Sequence, residues 1–480
     1  MKIHSRALLR CAAFSGFMLW ACATLSAADS SVAGSVSEGG RTFNVCSYGA
    51  TGNGSTLDTA AINQAIEACS QAGGGEVLIP AGRYLSGTVH LRSRVTLCLG
   101  AGATLAGTTN LALYEQPEVP AFMPEARWGK WHRALVIAQD AEDVALIGPG
   151  TIDGQKVFDP TGEEHVRGPH AINFINCRRF VLRDFSIVDA ANYAIFFQVS
   201  DDIDIRNVTI HGGWDGVHFR GAPERWCRNV NIVGCRFYTG DDSIAGRYWD
   251  NVVIADSILN SSCNGLRLIG PATRLLVNSC LFYGPGQRAY RTSNRSNMLS
   301  GIVLQPGAWD KTEGMLDQVY IANITMRDVA SPITIWTKPG NPVGRITIAG
   351  LNATGVYRSA LSVESWSDLP ITNVVLRAAN IEYSGGGKAA QALQEVKGPG
   401  VDARPLPAWG VYARNVETLI LQDVRLSVAQ DDFRPVIVAE EVHQLDLDNL
   451  KFTHMPGVAQ PLVKKTVGQV NVRDTDISVR

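Results

Sequence analysis

The sequence predicts an all-β protein, a right-handed parallel β-helix with a short capping helix near its N-terminus. Short β-rich runs broken by Gly, Asn and Asp recur about every 22 to 30 residues from about Gly75 onward, the period of a solenoid rather than a sandwich. Many of these runs share one pattern, a small residue followed by alternating apolar positions. Helical periodicity is almost absent beyond that point, and the 47 glycines among 480 residues suit a chain that turns at every rung.

The first 28 residues differ in kind. Lys2, His4, Arg6 and Arg10 make a basic start, Cys11 to Leu25 an apolar run, and Ser26-Ala27-Ala28 a small-residue end. This is the order of a secretory signal peptide, too short to span a bilayer comfortably. The subsidiary reading is a lipoprotein signal ending at Cys22. Either reading exports the chain, to the periplasm or outside the cell. Residues 29–41 read as a linker and 42–480 as a single β-helix, with no later membrane span. A helix is expected from Asp58 to Cys69, capped by Asp58, with Ile62, Ala65, Ile66 and Cys69 on one face.

Bulk composition excludes several classes. Hydrophobic content of 45% with 18% charge argues against disorder, and a net charge of -2 gives no case for nucleic acid or an anionic membrane. Eight cysteines follow the leader. Export permits a disulfide, with Cys46 and Cys69 the best candidate pair, although buried free thiols suit strand positions equally. No Cys or His spacing fits zinc, so neither metal nor cofactor is expected. Oligomerisation has no signature, and the chain reads as a monomer.

The clearest rungs begin at His170, Tyr193, Asp215, Asp242, Asn264, Ser300, Ser331 and Ser359. Parallel strands joined by crossovers take the right-handed course. Taking each first residue as position zero, positions +2 and +4 are apolar (Val217 and Phe219, Leu266 and Leu268) and must face the core. Positions +3 and +5 then point outward: His218, Arg220, Ala245, Arg247, Arg267, Ile269, Val303, Gln305, Thr334, Trp336, Ser362 and Glu364. Cations, an amide, a carboxylate and a Trp on one face suit a carbohydrate groove, and suit an ordinary solvated sheet face as well. Trp128, Trp131, Trp214, Trp249 and Trp309 fall in turns or rung ends near that face, and the inserts from Leu111 to Arg133 and Gly284 to Ser300 are long enough to wall one end of it.

At position zero, Asp215, Asp242 and Asn264 occupy consecutive rungs about 4.8 Å apart, with Asp241 alongside. Stacked like charges destabilise a sheet and raise the pKa of at least one member. Glycoside hydrolysis requires one protonated and one ionised carboxyl, which such a cluster supplies. An Asp-rich turn or a calcium site is the alternative.

The segments Gly75-Glu76-Val77-Leu78-Ile79-Pro80-Ala81-Gly82-Arg83-Tyr84, Gly87-Thr88-Val89-His90-Leu91 and Gly148-Pro149-Gly150-Thr151-Ile152-Asp153-Gly154 resemble the polygalacturonase family of pectin hydrolases (glycoside hydrolase family 28). The similarity runs to about Trp336. It implies a metal-free inverting hydrolase acting on a polysaccharide or oligosaccharide. Gly240-Asp241-Asp242 matches the family's Asp-Asp motif fully, and Gly213-Trp214-Asp215 keeps only the Asp of another. By this resemblance Asp241 is the general acid, while Asp215 and Asp242 activate water. Cys263-Asn264-Gly265 carries Asn where the family has His, and Val303-Leu304-Gln305 replaces its Arg-Ile-Lys. Arg267, Arg220 and Arg247 are the cations available in their stead, so the expected substrate-binding set is Asn264, Arg267, Arg220, Arg247, His218, Gln305 and Trp336. Two alternatives remain open on the same scaffold, a polysaccharide lyase and a non-catalytic glycan-binding solenoid.

Overall fold

The computed structural model describes residues 41–118, 120–123, 133–458 and 460–477. The leader, most of the linker, Cys22, Trp128 and Trp131 lie outside the described residues. The described strands form one sheet wound into a right-handed parallel β-helix. Each middle turn carries three strands. The one beginning near Asp215 runs through Val217–Arg220, Cys227–Val233 and Arg236–Thr239, and each pairs in parallel with its counterpart one turn on, Ile244–Arg247, Trp249–Ala255 and Ile258–Ser261. From Leu316–Arg327 onward the second and third strands fuse into single strands of 12 or 13 residues, and in Val411–Val428 and Ile437–Phe452 the first strand joins them.

Register follows the expected count. The outward column Asn173, Phe196, His218, Ala245, Arg267, Val303, Thr334 and Ser362 stacks residue on residue. The inward column holds Val217, Ile244, Leu266 and Ile302, all fully buried. The small residue after position zero has a steric cause. A Cβ on Gly216 would lie 2.5 Å from the Ser243 carbonyl of the next turn, and one on Gly265 would lie 2.6 Å from the Gly301 carbonyl and against the Phe282 ring. Asn and Asp punctuate the turns for a different reason. Asp202, Asn229 and Asn251 all sit in the left-handed region, where their short polar side chains tolerate positive φ, and they form a hydrogen-bonded ladder of 2.7 and 2.8 Å.

The helix Thr59–Gln71 closes the N-terminal end of the core with Ile62, Ala65, Ile66 and Cys69 buried. Asp58 stands at its N-cap position without capping it. Its carboxylate instead accepts from the backbone N–H groups of Thr51 (2.7 Å) and Gly52 (3.2 Å), tying down the preceding glycine loop. The Cys46–Cys69 pairing is also corrected. All eight described cysteines are free, Cys69 being buried on the core face of the helix while exposed Cys46 has its Sγ 3.6 Å from the Tyr84 hydroxyl.

The crowding at Gly265 generates a stability prediction. Gly265→Val is expected to cost roughly 1–3 kcal/mol or more through overpacking against backbone that cannot yield. Denaturant unfolding measures it, and a variant as stable as the wild type would refute the close-approach account.

Candidate active site

The cleft opens over the outward face where Asp215 and Asp242 precede the strands Val217–Arg220 and Ile244–Arg247. Asp215 is buried. One of its oxygens lies 2.8 Å from His218 Nδ1, and the other accepts the Asp242 backbone N–H at 3.2 Å. Asp242 is buried too, accepting from the Asn264 backbone (3.0 Å) and side-chain amide (2.8 Å), with Arg267 at 3.4 Å. Asp241 is the open member, its side chain 13% exposed. Its main chain is pinned, since Thr239 and Ser261 hydroxyls both donate to its carbonyl.

Burial pushes the Asp215 carboxyl well above the usual carboxylate range, with Asp241 and Asp242 adding to the rise. Burial also raises Asp242, against the pull of Arg267. His218 moves the other way. Burial, then Arg220 and Arg247, hold its pKa well below the usual imidazole value, so the ring is neutral and a single hydrogen links it to Asp215. It stacks on the Tyr193 ring at 4.1 Å and 4°, one turn back in the same wall.

The loop of residues 154–169 adds groups that sequence periodicity did not point to. Arg167 donates to Asp241 at 3.0 Å and to Glu164 at 2.9 Å, pairs with Glu163 at 3.4 Å, and lies flat over Trp214 at 3.8 Å. Tyr290, from the predicted insert, donates to Glu164 at 3.1 Å and meets the Trp214 ring edge-on. Glu163 is almost fully buried, and burial pushes its carboxyl up to about 7, Arg167 opposing the rise. Two acidic residues arrive from still farther away. Asp310 pairs with Arg247, and Asp402 accepts from Arg267 at 2.6 Å across 135 residues of chain.

Of the expected site residues, Asp215, Asp241, Asp242, His218, Arg220, Arg247 and Arg267 line this cleft. Three others do not. Asn264 sits behind Asp242 as its hydrogen-bond donor, Gln305 is buried beneath Arg267 and Val401, and Trp336 is buried. The segment 384–410 lies over the C-terminal part of the outward face and covers Gln305 through Val401. Arg404 grips buried Glu364 there, and Leu406 and Ala408 pack with Ala360, Tyr412 and Val438 as a second small core. Among the other tryptophans, Trp309 is exposed in the cleft, whereas Trp249 belongs to the main core, stacked on Phe219 at 3.4 Å. Tyr193 was legible in principle, since it holds position zero one rung before Asp215.

Among the described residues, one oxygen each of Asp241 and Asp242 and the Cys263 Sγ lie within 4.8 Å of one another, close enough to share a metal. Arg167 and Arg267 already pair with the two carboxylates, and burial keeps the thiol protonated by raising its pKa, so the donor set suits a cation poorly.

Residues 42–267 match the family model described as rhamnogalacturonase A/epimerase, pectate lyase-like. Fold and site thus define a right-handed parallel β-helix protein with a carboxylate-lined cleft. A probable polygalacturonase of Vitis vinifera is 25% identical over 301 residues, covering 58% of this chain and 60% of its own length, less than two thirds of that relative. The exopolygalacturonase from Thermotoga maritima superposes with a TM-score of 0.60 at 19% identity, covering 79% of this chain and 91% of its own. The Streptococcus pneumoniae surface protein and adhesin PfbA shares the fold at a TM-score of 0.53 and 17% identity, over 90% of this chain and all of its own. Over these matches the chain is similar in sequence to polygalacturonases and in fold to exopolygalacturonases.

Burial of the Glu163 carboxyl generates a pH prediction. Its folded pKa stands above the ordinary glutamate value, so folding takes up a proton there between pH 4.5 and about 7. The contribution to stability is fully present on the acid side and lost as pH rises through 7. Relative to Glu163→Gln, the wild type should lose on the order of 3 kcal/mol across that window. Thermal melts of both proteins from acid to neutral pH check it, and a constant difference between them would count against the buried-acid account.

Proposed function

We propose that the protein is an exported glycoside hydrolase that cleaves a glycosidic bond in a pectic or related polysaccharide. The observation that carries this reading is the convergence of Asp215, Asp241 and Asp242 on one cleft in three unlike environments. Burial and mutual repulsion disfavour three charges at once, so the cluster retains a shared proton near neutral pH. Cleavage needs that proton on the group facing the leaving oxygen, and Asp241 is the member open to the cleft. Asp215 and Asp242, oriented by His218, Asn264 and Arg267, then hold and deprotonate the attacking water. Inversion of configuration follows if that water fits between acid and base. Asn264 keeps the orienting role through its amide, without a titrating ring.

One feature favours a second reading, a glycan-binding solenoid without catalysis. Arg167 already engages the Asp241 side chain at 3.0 Å, so the group assigned as acid is tied to a cation of the protein itself. Turnover decides between the two. Purified protein incubated with a panel of pectic and hemicellulosic polysaccharides should release new reducing ends, and Asp241→Asn should lower that rate by about a hundredfold or more. Equal release by both proteins removes Asp241 from the acid role. Binding without release by the wild type favours the solenoid that only binds.

A further inference from the structure

Resting on the reading of the cleft as a glycosidase site, its ionic layout bears on the charge of the sugar it accepts. Seven carboxyl groups and five guanidinium groups line the cleft. Arg267 is held between Asp402 and Asp242, and Arg247 is held by Asp310. Arg167 is held by Asp241, Glu164 and Glu163. Arg220 packs over the Phe196 ring at 5.4 Å and shares the fields of Glu163 and Asp310 with Arg247. Arg295 turns its Nε to the Ser262 carbonyl and covers the Tyr290 ring.

Three of these cations are therefore engaged by carboxylates of the protein itself. Guanidinium–carboxylate pairs of this kind are among the stronger polar contacts, most of all when desolvated. Arg247 and Arg267 are both nearly fully buried. An incoming sugar carboxylate reaching for Arg247 or Arg267 would have to displace Asp310 or Asp402, or lie beside them against like charge. An uncharged pyranose meets no such obstacle. Trp309 at 42% exposure offers it an apolar face beside Ile269 and Ala245.

We propose that the cleft accepts an uncharged sugar, and that Asp310 and Asp402 are specificity-determining residues that occupy the arginines a uronate would otherwise use. The probe is a galacturonate oligosaccharide and its fully methyl-esterified form, which share one backbone and differ in charge. Binding to the full chain is measured by calorimetry at low salt. The ester is expected to bind at least tenfold more tightly than the acid. The Asp310→Asn, Asp402→Asn double variant is expected to bring the ratio to about one or to invert it.

Tighter binding of the acid by the wild type overturns the proposal while leaving glycoside hydrolysis intact. An unchanged ratio in the variant overturns the role of the two aspartates. If neither form binds but a galactan or arabinan is hydrolysed, the uncharged-sugar assignment stands. If neither binds and no glycan is cut, the glycosidase reading fails and this inference with it. The wild-type comparison needs no variant, so a misfolded double substitution leaves the main test in place.

Discussion

In-register stacking of one rung on the next is the constraint from which the rest of this molecule follows. Parallel pairing puts each residue about 4.8 Å above its equivalent in the preceding turn. Whatever occupies a column is thereby concentrated. In the core this produces continuous ranks of Val, Ile, Leu and Phe with almost no exposure. After position zero it crowds the backbone, so that a Cβ at Gly216, Gly265 or Gly301 would strike the next turn's carbonyl. At position zero itself it places Asp242 directly over Asp215, which no isolated turn would favour.

That enforced proximity sets the electrostatics of the cleft. The buried carboxyl groups are tolerated because each has specific partners: His218 and the Asp242 amide for Asp215, Asn264 and Arg267 for Asp242, Arg167 for Asp241. The balance is unequal. The two most enclosed acids are driven toward the neutral form, while the exposed one keeps an ion pair.

The loops supply what the coil cannot. A parallel β-helix offers a flat, periodic wall, and its cleft is made by excursions between strands: 154–169 with Arg167, 284–299 with Tyr290, 305–315 with Asp310, and 384–410 with Asp402. The last of these also closes the C-terminal part of the outward face, so that Glu364 becomes covered wall instead of open groove. Loop length and position, not the sheet, decide how much of the groove is open.

Period-two alternation within strands and a fixed residue at each rung start are local, repeated signals, and they were enough to determine the coil, its register and the column shared by Asp215, Asp242 and Asn264. The outward set at His218, Arg220, Arg247 and Arg267 was legible by the same count, because side-chain direction in a strand has no freedom once the core face is known. The Asp58 cap and the Cys46–Cys69 pair were misread for a reason local patterns share: both residues satisfy partners that only the folded loop brings near. Arg167 on Asp241, Asp402 on Arg267 and Arg404 on Glu364 carry no periodic trace. They depend on aperiodic loops meeting the wall across as many as 135 residues, a separation over which only tertiary packing selects the partner.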